Sequence, residues 1–326
     1  MLHTRICDLL GITHPIVLGG MGGGHTAAPL VAAVSNAGGF GTLGITGFSA
    51  AAVQERIGAI RAATSKPFGV NFLLFLIQEA AFTAALESRP PVVAFAWARP
   101  DQDLRPYVQR VHDSGSLAMH MAGEVGEAVR AARAGADVIV AQGTEGGGHV
   151  GWMATMALVP MVVQAVAPVP VLAAGGIADG SGLAAALALG ADGVLIGTRF
   201  LATDESPLHP NFKQAIVRSD GHDTAMTEIP DIASGTVWPG AMARTLRNGF
   251  VEQWVGREWA LRQQARAAWQ ALVAARETGD ADHAALFIGQ DAGLIDSVIP
   301  AAEVIQRMVA QAERIIADRL YPMLRA

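Results

Sequence analysis

The chain has 326 residues, 51% of them hydrophobic and 16% charged, with a formal net charge of −6. A chain of this length and apolar content can bury a large core. The absence of a long basic run argues against nucleic acid and against an anionic membrane surface as partners. One cysteine, Cys7, excludes an intrachain disulfide and fits a reducing cytoplasm. Met1 to Asp8 lacks the basic-then-apolar pattern of a signal peptide. The most apolar stretch, Trp152 to Ala174, is broken by Pro160, Gln164, Pro168 and Pro170, which suits helix, turn and strand better than a membrane span.

Taken in order, Ile16 to Gly20 reads as a strand and Met21 to Gly24 as a loop. Ala27 to Asn36 reads as a helix, and Gly41 to Ile45 as a second strand. Ser49 is a fitting N-cap for a helix reaching about Ala63. Pro67 to Leu73 is the third strand, with Asn71 near its end, and a helix follows around Gln78 to Glu87. Strand Pro91 to Trp97 leads to helix Asp103 to His112, and strand Ser116 to Met121 to helix Glu124 to Ala134. Asp137 to Gln142 is an apolar run of the kind buried on both faces. The glycines behind it suggest a loop with neither helix nor strand, ending on His149. Helix Thr155 to Ala167, strand Val169 to Ala174, helix Ser181 to Leu189, strand Asp192 to Thr198 and helix His209 to Arg218 complete the series.

Alternating strand–helix units imply a parallel sheet, and eight of them predict a closed (β/α)8 TIM barrel. A doubly wound open sheet is the runner-up, disfavoured because no early G-x-G-x-x-G turn is followed by an acid at the right distance. We therefore expect a barrel over residues 1–218, a helical insertion or lid over 219–298, and a C-terminal helix over 299–326 packed on the barrel. The segment after 219 shows no strand period in its first part. Glu252 to Arg276 reads as one long helix and Ala301 to Leu320 as the last one. Trp238, Trp254, Trp259 and Trp269 are expected to anchor helix packing rather than to touch substrate.

In such a barrel the active site lies at the C-terminal ends of the strands. That rule collects Met21 and Gly22 after the first strand, Asn71 after the third, and Gln142 with the glycine loop and His149 after the sixth. It adds Gly175 and Gly176 after the seventh and Gly197 and Thr198 at the eighth. His120, near the end of the fifth, is the only alternative base to His149. Glycines after the last two strands, with helices behind them, suit a phosphate bound by backbone N–H groups. The helix dipole adds only about 0.3–1 kcal/mol to such a site. No H-E-x-x-H, C-x-x-C or carboxylate cluster suggests a metal, no lysine ends a barrel strand, and no G-x-S-x-G elbow is present. A phosphate clamp, a neutral amide and one histidine suit a flavin mononucleotide with an acid or base beside it.

Ala141-Gln-Gly-Thr-Glu-Gly-Gly-Gly-His-Val-Gly151 resembles the A-Q-G-x-E-A-G-G-H-x-G signature of the nitronate monooxygenases, also called 2-nitropropane dioxygenases. Ala173 to Gly180, Gly190 to Phe200 and Phe68 to Phe72 are similar to further stretches of that family. Gly146 stands where the family commonly has alanine. The resemblance implies FMN as cofactor, with its phosphate on Gly175, Gly176, Gly197 and Thr198. Met21, Gly22, Asn71, Gln142 and Ala174 would line the cofactor, with Gly147 and Gly148 lying against it and His149 facing the substrate as the catalytic residue. It implies oxidation of a nitronate or nitroalkane by O2 to a carbonyl compound and nitrite, in a cytoplasmic enzyme that could act as a homodimer. Barrels with much the same glycine pattern also serve NAD(P)H-dependent flavin reductases acting on quinones or enoyl thioesters, so that reaction stays open. A non-catalytic flavin carrier is the third reading.

Overall fold

The structure is a computed structural model, and it describes residues 2–325. In chain order the elements are α1 (Arg5–Leu10), β1 (Ile16–Leu18), α2 (Ala28–Asn36), β2 (Gly41–Gly44), α3 (Ala50–Ala63), β3 (Phe68–Leu73) and α4 (Glu79–Glu87). Next come β4 (Val92–Ala96), α5 (Arg105–Asp113), β5 (Leu117–Ala122), α6 (Val125–Arg133), β6 (Val138–Gln142), β7 (Gly148–Val150) and α7 (Thr155–Val166). The chain continues with β8 (Val171–Ala174), α8 (Gly180–Ala188), β9 (Gly193–Ile196), α9 (Thr198–Leu201), α10 (Pro210–Arg218), β10 (Thr224–Thr227) and α11 (Ile229–Ser234). It closes with β11 (Met242–Leu246), α12 (Gly249–Trp254), α13 (Glu258–Thr278) and α14 (Ala301–Arg314).

Eight parallel strands run in the order β1-β9-β8-β6-β5-β4-β3-β2. A parallel bridge between Val17 and Phe40 joins the two ends, with Leu18 N–H donating to Phe40 O at 2.8 Å. The expected (β/α)8 barrel is therefore the fold. Strand parity sorts its side chains. Val138 and Val140 of β6, Met119 of β5 and Leu172 of β8 fill the interior with Val17 and Phe40, while Ile139, Ala141, Ala118 and Ala173 face the helices. Helix α1 plugs the end where the strands begin, adding Ile6, Cys7 and Leu10 to the interior cluster. Arg5 holds it there through Asp192, just ahead of β9, at 2.5 Å.

The opposite end of the barrel is hollow because its inward positions are small. Gly19, Thr42, Asn71, Ala94, Ala96 and Ala174 replace the bulky side chains of the lower layers and line a cavity. Above it sits the C-terminal segment. Contrary to the sequence reading, that segment contains strands. β10 and β11 pair antiparallel, and β11 pairs in turn with β7, so Met242, Ala243 and Arg244 lie opposite Val150, His149 and Gly148. The glycine loop thus carries a short strand. It is extended because a partner from about a hundred residues downstream supplies its hydrogen bonds, which local sequence does not reveal. The long helix expected from Glu252 is two, α12 and α13, separated at Gly256, whose φ is +73°. Helix α14 packs on α8 and α2 and continues through a π-helical turn over Ile315–Leu320. Among the described residues no helix is long and apolar enough to cross a membrane.

Candidate active site

The cavity has a volume of about 820 Å³ and opens at the C-terminal ends of the barrel strands. Its wall includes all twelve residues that the family resemblance assigned to cofactor and catalysis: Met21, Gly22, Asn71, Gln142, Gly147, Gly148, His149, Ala174, Gly175, Gly176, Gly197 and Thr198. Parity explains the two amides. Asn71 and Gln142 occupy inward positions of β3 and β6, whereas Val70, Phe72 and Ala141 point outward. His120 has the opposite parity. It turns away from the cavity into the layer between β5 and α6, where its Nε2 meets Glu127 Oε1 at 3.0 Å. The alternative base is thereby excluded, since His120 is engaged in a buried pair outside the cavity.

The glycine end of the cavity is shaped by backbone. Gly175 and Gly176 have φ of +95° and +76°, a region that side chains with a Cβ rarely adopt. A Cβ on Gly175 would also stand 2.7 Å from Gly143 O. Gly197 precedes Thr198, the first residue of α9 rather than the last of a strand, and Thr198 Oγ1 accepts from Gly289 N–H at 3.0 Å. Glu145 fastens the glycine loop, accepting from Thr155 N–H at 2.9 Å and so satisfying an otherwise free donor at the start of α7. Its carbonyl accepts from Gln290 N–H at 2.8 Å. Gly147 lies against Gly289 so closely that a Cβ would come within 2.5 Å of the Gly289 nitrogen. At Gly146, where a Cβ would meet its nearest neighbours at 3.3–3.4 Å, an alanine needs only small adjustments.

Three of the six buried side-chain atoms that lack a protein partner among the described residues belong to the cavity wall. Thr42 Oγ1, Gln142 Oε1 and Asp291 Oδ1 are buried without a hydrogen bond, and all three residues line it. Unsatisfied buried polar atoms are costly, about 1–3 kcal/mol each. Three around one cavity call for a ligand that is polar at several points. Asn71 Nδ2 donates to Gly20 O at 3.2 Å, leaving its oxygen as an acceptor.

The histidine end was only half visible in the sequence. His149 Nε2 lies 2.9 and 3.0 Å from the two carboxylate oxygens of Asp231, on α11. Its ring stacks on Trp238, with centroids 3.3 Å apart and planes 11° from parallel. Trp238 is braced in turn by Phe75 at 4.9 Å and edge-on by Trp97 at 6.1 Å. Trp97 has φ of +56°, unusual for a bulky residue, and lines the cavity at the end of β4. The expectation that the four tryptophans only anchor helices holds for Trp254, buried among Phe250, Leu261 and Leu272. It fails for Trp238 and Trp269, which line the cavity, and for Trp259, which is exposed. Asp231 was missed because it lies 82 residues from His149 in a segment without a motif. The one signal was an acidic residue in a Pro-started turn, which is too common to single out.

Across the mouth, the Arg276 guanidinium of α13 donates to Gly23 O. His25 beside it is pushed down to about 4, mainly by burial and further by the charge of Arg276.

A family model described as nitronate monooxygenase matches residues 3–85 and 77–311. The chain is 34% identical over 347 residues to a (3aS,4S,5R,7aS)-5-hydroxy-7a-methyl-1-oxo-octahydro-1H-indene-4-carboxyl-CoA dehydrogenase of Mycobacterium tuberculosis, covering 95% of this chain and 96% of that one. Among solved structures it is similar to FabK from Thermotoga maritima, at 35% identity and a TM-score of 0.88, covering 99% and 100% of the two chains. It is also similar to nitroalkane oxidase from Streptomyces ansochromogenes, at 29% identity and a TM-score of 0.85, covering 97% and 99%.

Proposed function

The chain belongs to the nitronate monooxygenase family and is an oxidoreductase, and from this premise we propose that it uses FMN and O2 to oxidise alkyl nitronates and nitroalkanes to carbonyl compounds and nitrite. The observation that carries the reading is the His149–Asp231 pair, set in the wall of the same cavity as the glycine cradle.

The residues present fit the cofactor. Gly175, Gly176, Gly197 and Thr198 would hold the phosphate. The unpartnered Thr42 and Gln142 oxygens and the free oxygen of Asn71 would meet the polar edge of the ring system and the ribityl chain. A flavin held there would supply the electron acceptor for the substrate and the route for those electrons to oxygen.

The chain's own contribution is proton handling and orientation. With Asp231 accepting the Nε2–H, the neutral imidazole is fixed in the tautomer whose Nδ1 carries the lone pair. Nδ1 is then the atom that takes the α-proton of a neutral nitroalkane, and the Asp231 carboxylate stabilises the imidazolium that forms. Trp238 keeps the ring from rotating and helps to exclude water. A nitronate has already lost that proton and needs only positioning.

One observation favours a second reading. The cavity is large and much of its wall is apolar, with Leu73, Leu76, Trp269, Leu272 and Val273 beside Trp238. That is more than a short nitroalkane requires. The Mycobacterium tuberculosis relative is named for a bulky CoA thioester. An NAD(P)H-dependent flavin reductase acting on a quinone or an enoyl thioester is therefore the alternative.

The test compares kcat/KM for a nitroalkane and for its preformed nitronate in the wild type and in His149→Asn. We expect the variant to lose about 10²–10⁴-fold on the neutral substrate, the usual worth of general base catalysis, and to keep appreciable activity on the nitronate. Equal losses on both substrates would make His149 a binding group and not a base. No turnover of either by the wild type, with rapid anaerobic bleaching of the flavin by NADH or NADPH, would establish the reductase reading instead.

A further inference from the structure

Asp291 is a carboxyl group in an unusual place. It is 5% exposed, its Oδ1 has no partner, and it lines the cavity at the glycine end, beyond the Gln290 backbone that is tied to Glu145. The neighbouring Gly289 N–H is already bonded to Thr198 Oγ1, one of the groups assigned to the phosphate. The charged groups near it are few. Arg199 of α9 is the cation that acts on it; its Nη2 donates to the carbonyls of Ala202 and Ser297 at 2.5 and 2.6 Å, and its Nε is buried without a partner. Glu145, on the glycine loop, is the next acid and is committed to Thr155. From the α10–β10 side only the Asp220 and Gly221 backbone approaches, at Gly293 and Gln290. Among the described residues Arg199 is the one cation shown to act on Asp291, and a single positive charge cannot balance both a carboxylate and a phosphate dianion; two anions in contact in a low-dielectric site repel strongly.

We propose that Asp291 binds the FMN phosphate as the neutral carboxylic acid, donating its proton in a hydrogen bond to a phosphate oxygen, so that cofactor binding is coupled to one proton. The proposal rests on the FMN reading above. Burial supports it independently. Desolvation raises the Asp291 carboxyl to about 7, against the weaker opposing pull of its backbone N–H, the Thr198 hydroxyl and Arg199. The acid is therefore half-protonated near neutrality before any ligand arrives, and a dianion beside it favours the protonated form further.

The sign of the pH dependence follows. Below about 7 Asp291 already carries its proton and FMN binds without taking one up. Above it the proton must be recaptured on binding, so the Kd rises by about tenfold per pH unit, with uptake approaching about one proton. The experiment titrates the apoprotein with FMN and with riboflavin, by quenching of flavin fluorescence, from pH 6.5 to pH 9. Calorimetry in buffers of different ionisation enthalpy counts the protons. Riboflavin, which lacks the phosphate, should bind more weakly with a flat profile. Asp291→Asn, which donates through its amide without titrating, should flatten the FMN profile and bind FMN more tightly than the wild type at pH 9.

A second measurement needs no flavin. The native fold holds a proton that the unfolded chain releases above about 4, so wild-type stability should fall between about pH 4 and pH 7, where the native state binds more protons. The apo Tm of Asp291→Asn should accordingly exceed that of the wild type at pH 8 and lose this advantage at pH 4. A wild-type FMN affinity that stays flat from pH 6.5 to pH 9, or falls equally in Asp291→Asn, would overturn the proposal while leaving the cofactor reading intact. Failure of FMN to bind at any pH would overturn both, even with the stability difference present.

Discussion

At one end of the cavity, Gly175 and Gly176 follow β8 and Gly197 follows β9, so the cradle's position is set by barrel strands hydrogen-bonded to each other in register. At the other end, His149 is placed by a strand pairing with β11, a carboxylate on α11 and an indole from the loop between them, all from beyond residue 219. The first end is made largely of backbone, and it is strictest at Gly175 and Gly176, whose positive φ disfavours any side chain, whereas a Cβ on Gly197 would meet only Met21 Sδ at 3.7 Å. The second is made of side chains on a segment packed over the barrel, and it is where the chemistry can be retuned without disturbing the fold. A common barrel can thereby serve different substrates, as the varied names of its relatives suggest.

The comparison breaks most sharply at Gly176. In Gly176→Val a branched side chain would be forced to φ +76° with its Cβ 3.0 Å from the Glu145 Cβ. We expect loss of flavin binding by about a hundredfold or more, nearly 3 kcal/mol, in a protein whose circular dichroism still reports a barrel. Full flavin retention after gel filtration would put the phosphate elsewhere. An intermediate effect is expected at Asp231. Asp231→Asn leaves the ring of His149 in place but removes the charge that stabilises its protonated form. The kcat for a neutral nitroalkane should fall on the order of tenfold, about 1.4 kcal/mol, with flavin content unchanged. A fall of the same size with the nitronate would show that Asp231 shapes the cavity and does not assist the base. The smallest effect belongs to Trp238→Phe, which keeps an aromatic face on His149 and reduces the contact with Trp97 and Phe75. Ring pairs of this kind are worth about 0.5–1.5 kcal/mol. The KM should therefore rise a few-fold while kcat holds, and a collapse of kcat would assign the indole a direct part in turnover.

How far each end could be read from the sequence follows the same division. The barrel was legible because each strand–helix unit is local, with glycine stops and apolar runs that announce themselves within a dozen residues. The cradle was legible for the same reason, since Ala173 to Gly180 and Gly190 to Phe200 each place their glycines directly after a strand. His149 stood out as a titratable ring on a glycine arc; His25, which follows Gly22 to Gly24 and also lines the cavity, stands on a second one and was passed over. The surroundings of His149 did not stand out. Strand β7 exists only because β11 pairs with it, and β11 carries Arg244, which donates to Thr144 O, in a stretch with no clean alternation. The Asp231 pairing and the Trp238 stack are long-range contacts between a motif and a segment with none. His120, the alternative base, is ruled out by strand parity, which the sequence reading did not apply to it: Met119 and Met121 face the cavity, so the residue between them cannot.

The face-to-face packing of Trp238 on His149 has one more consequence. A protonated imidazole in van der Waals contact with an indole withdraws electron density from its excited state and quenches its emission, whereas a neutral imidazole does so far less. At a centroid spacing of 3.3 Å the pair is within reach of that process. A change in the charge on His149 is therefore expected to appear as a change in the difference in emission between the wild type and a protein without the Trp238 indole, with no dye and no turnover.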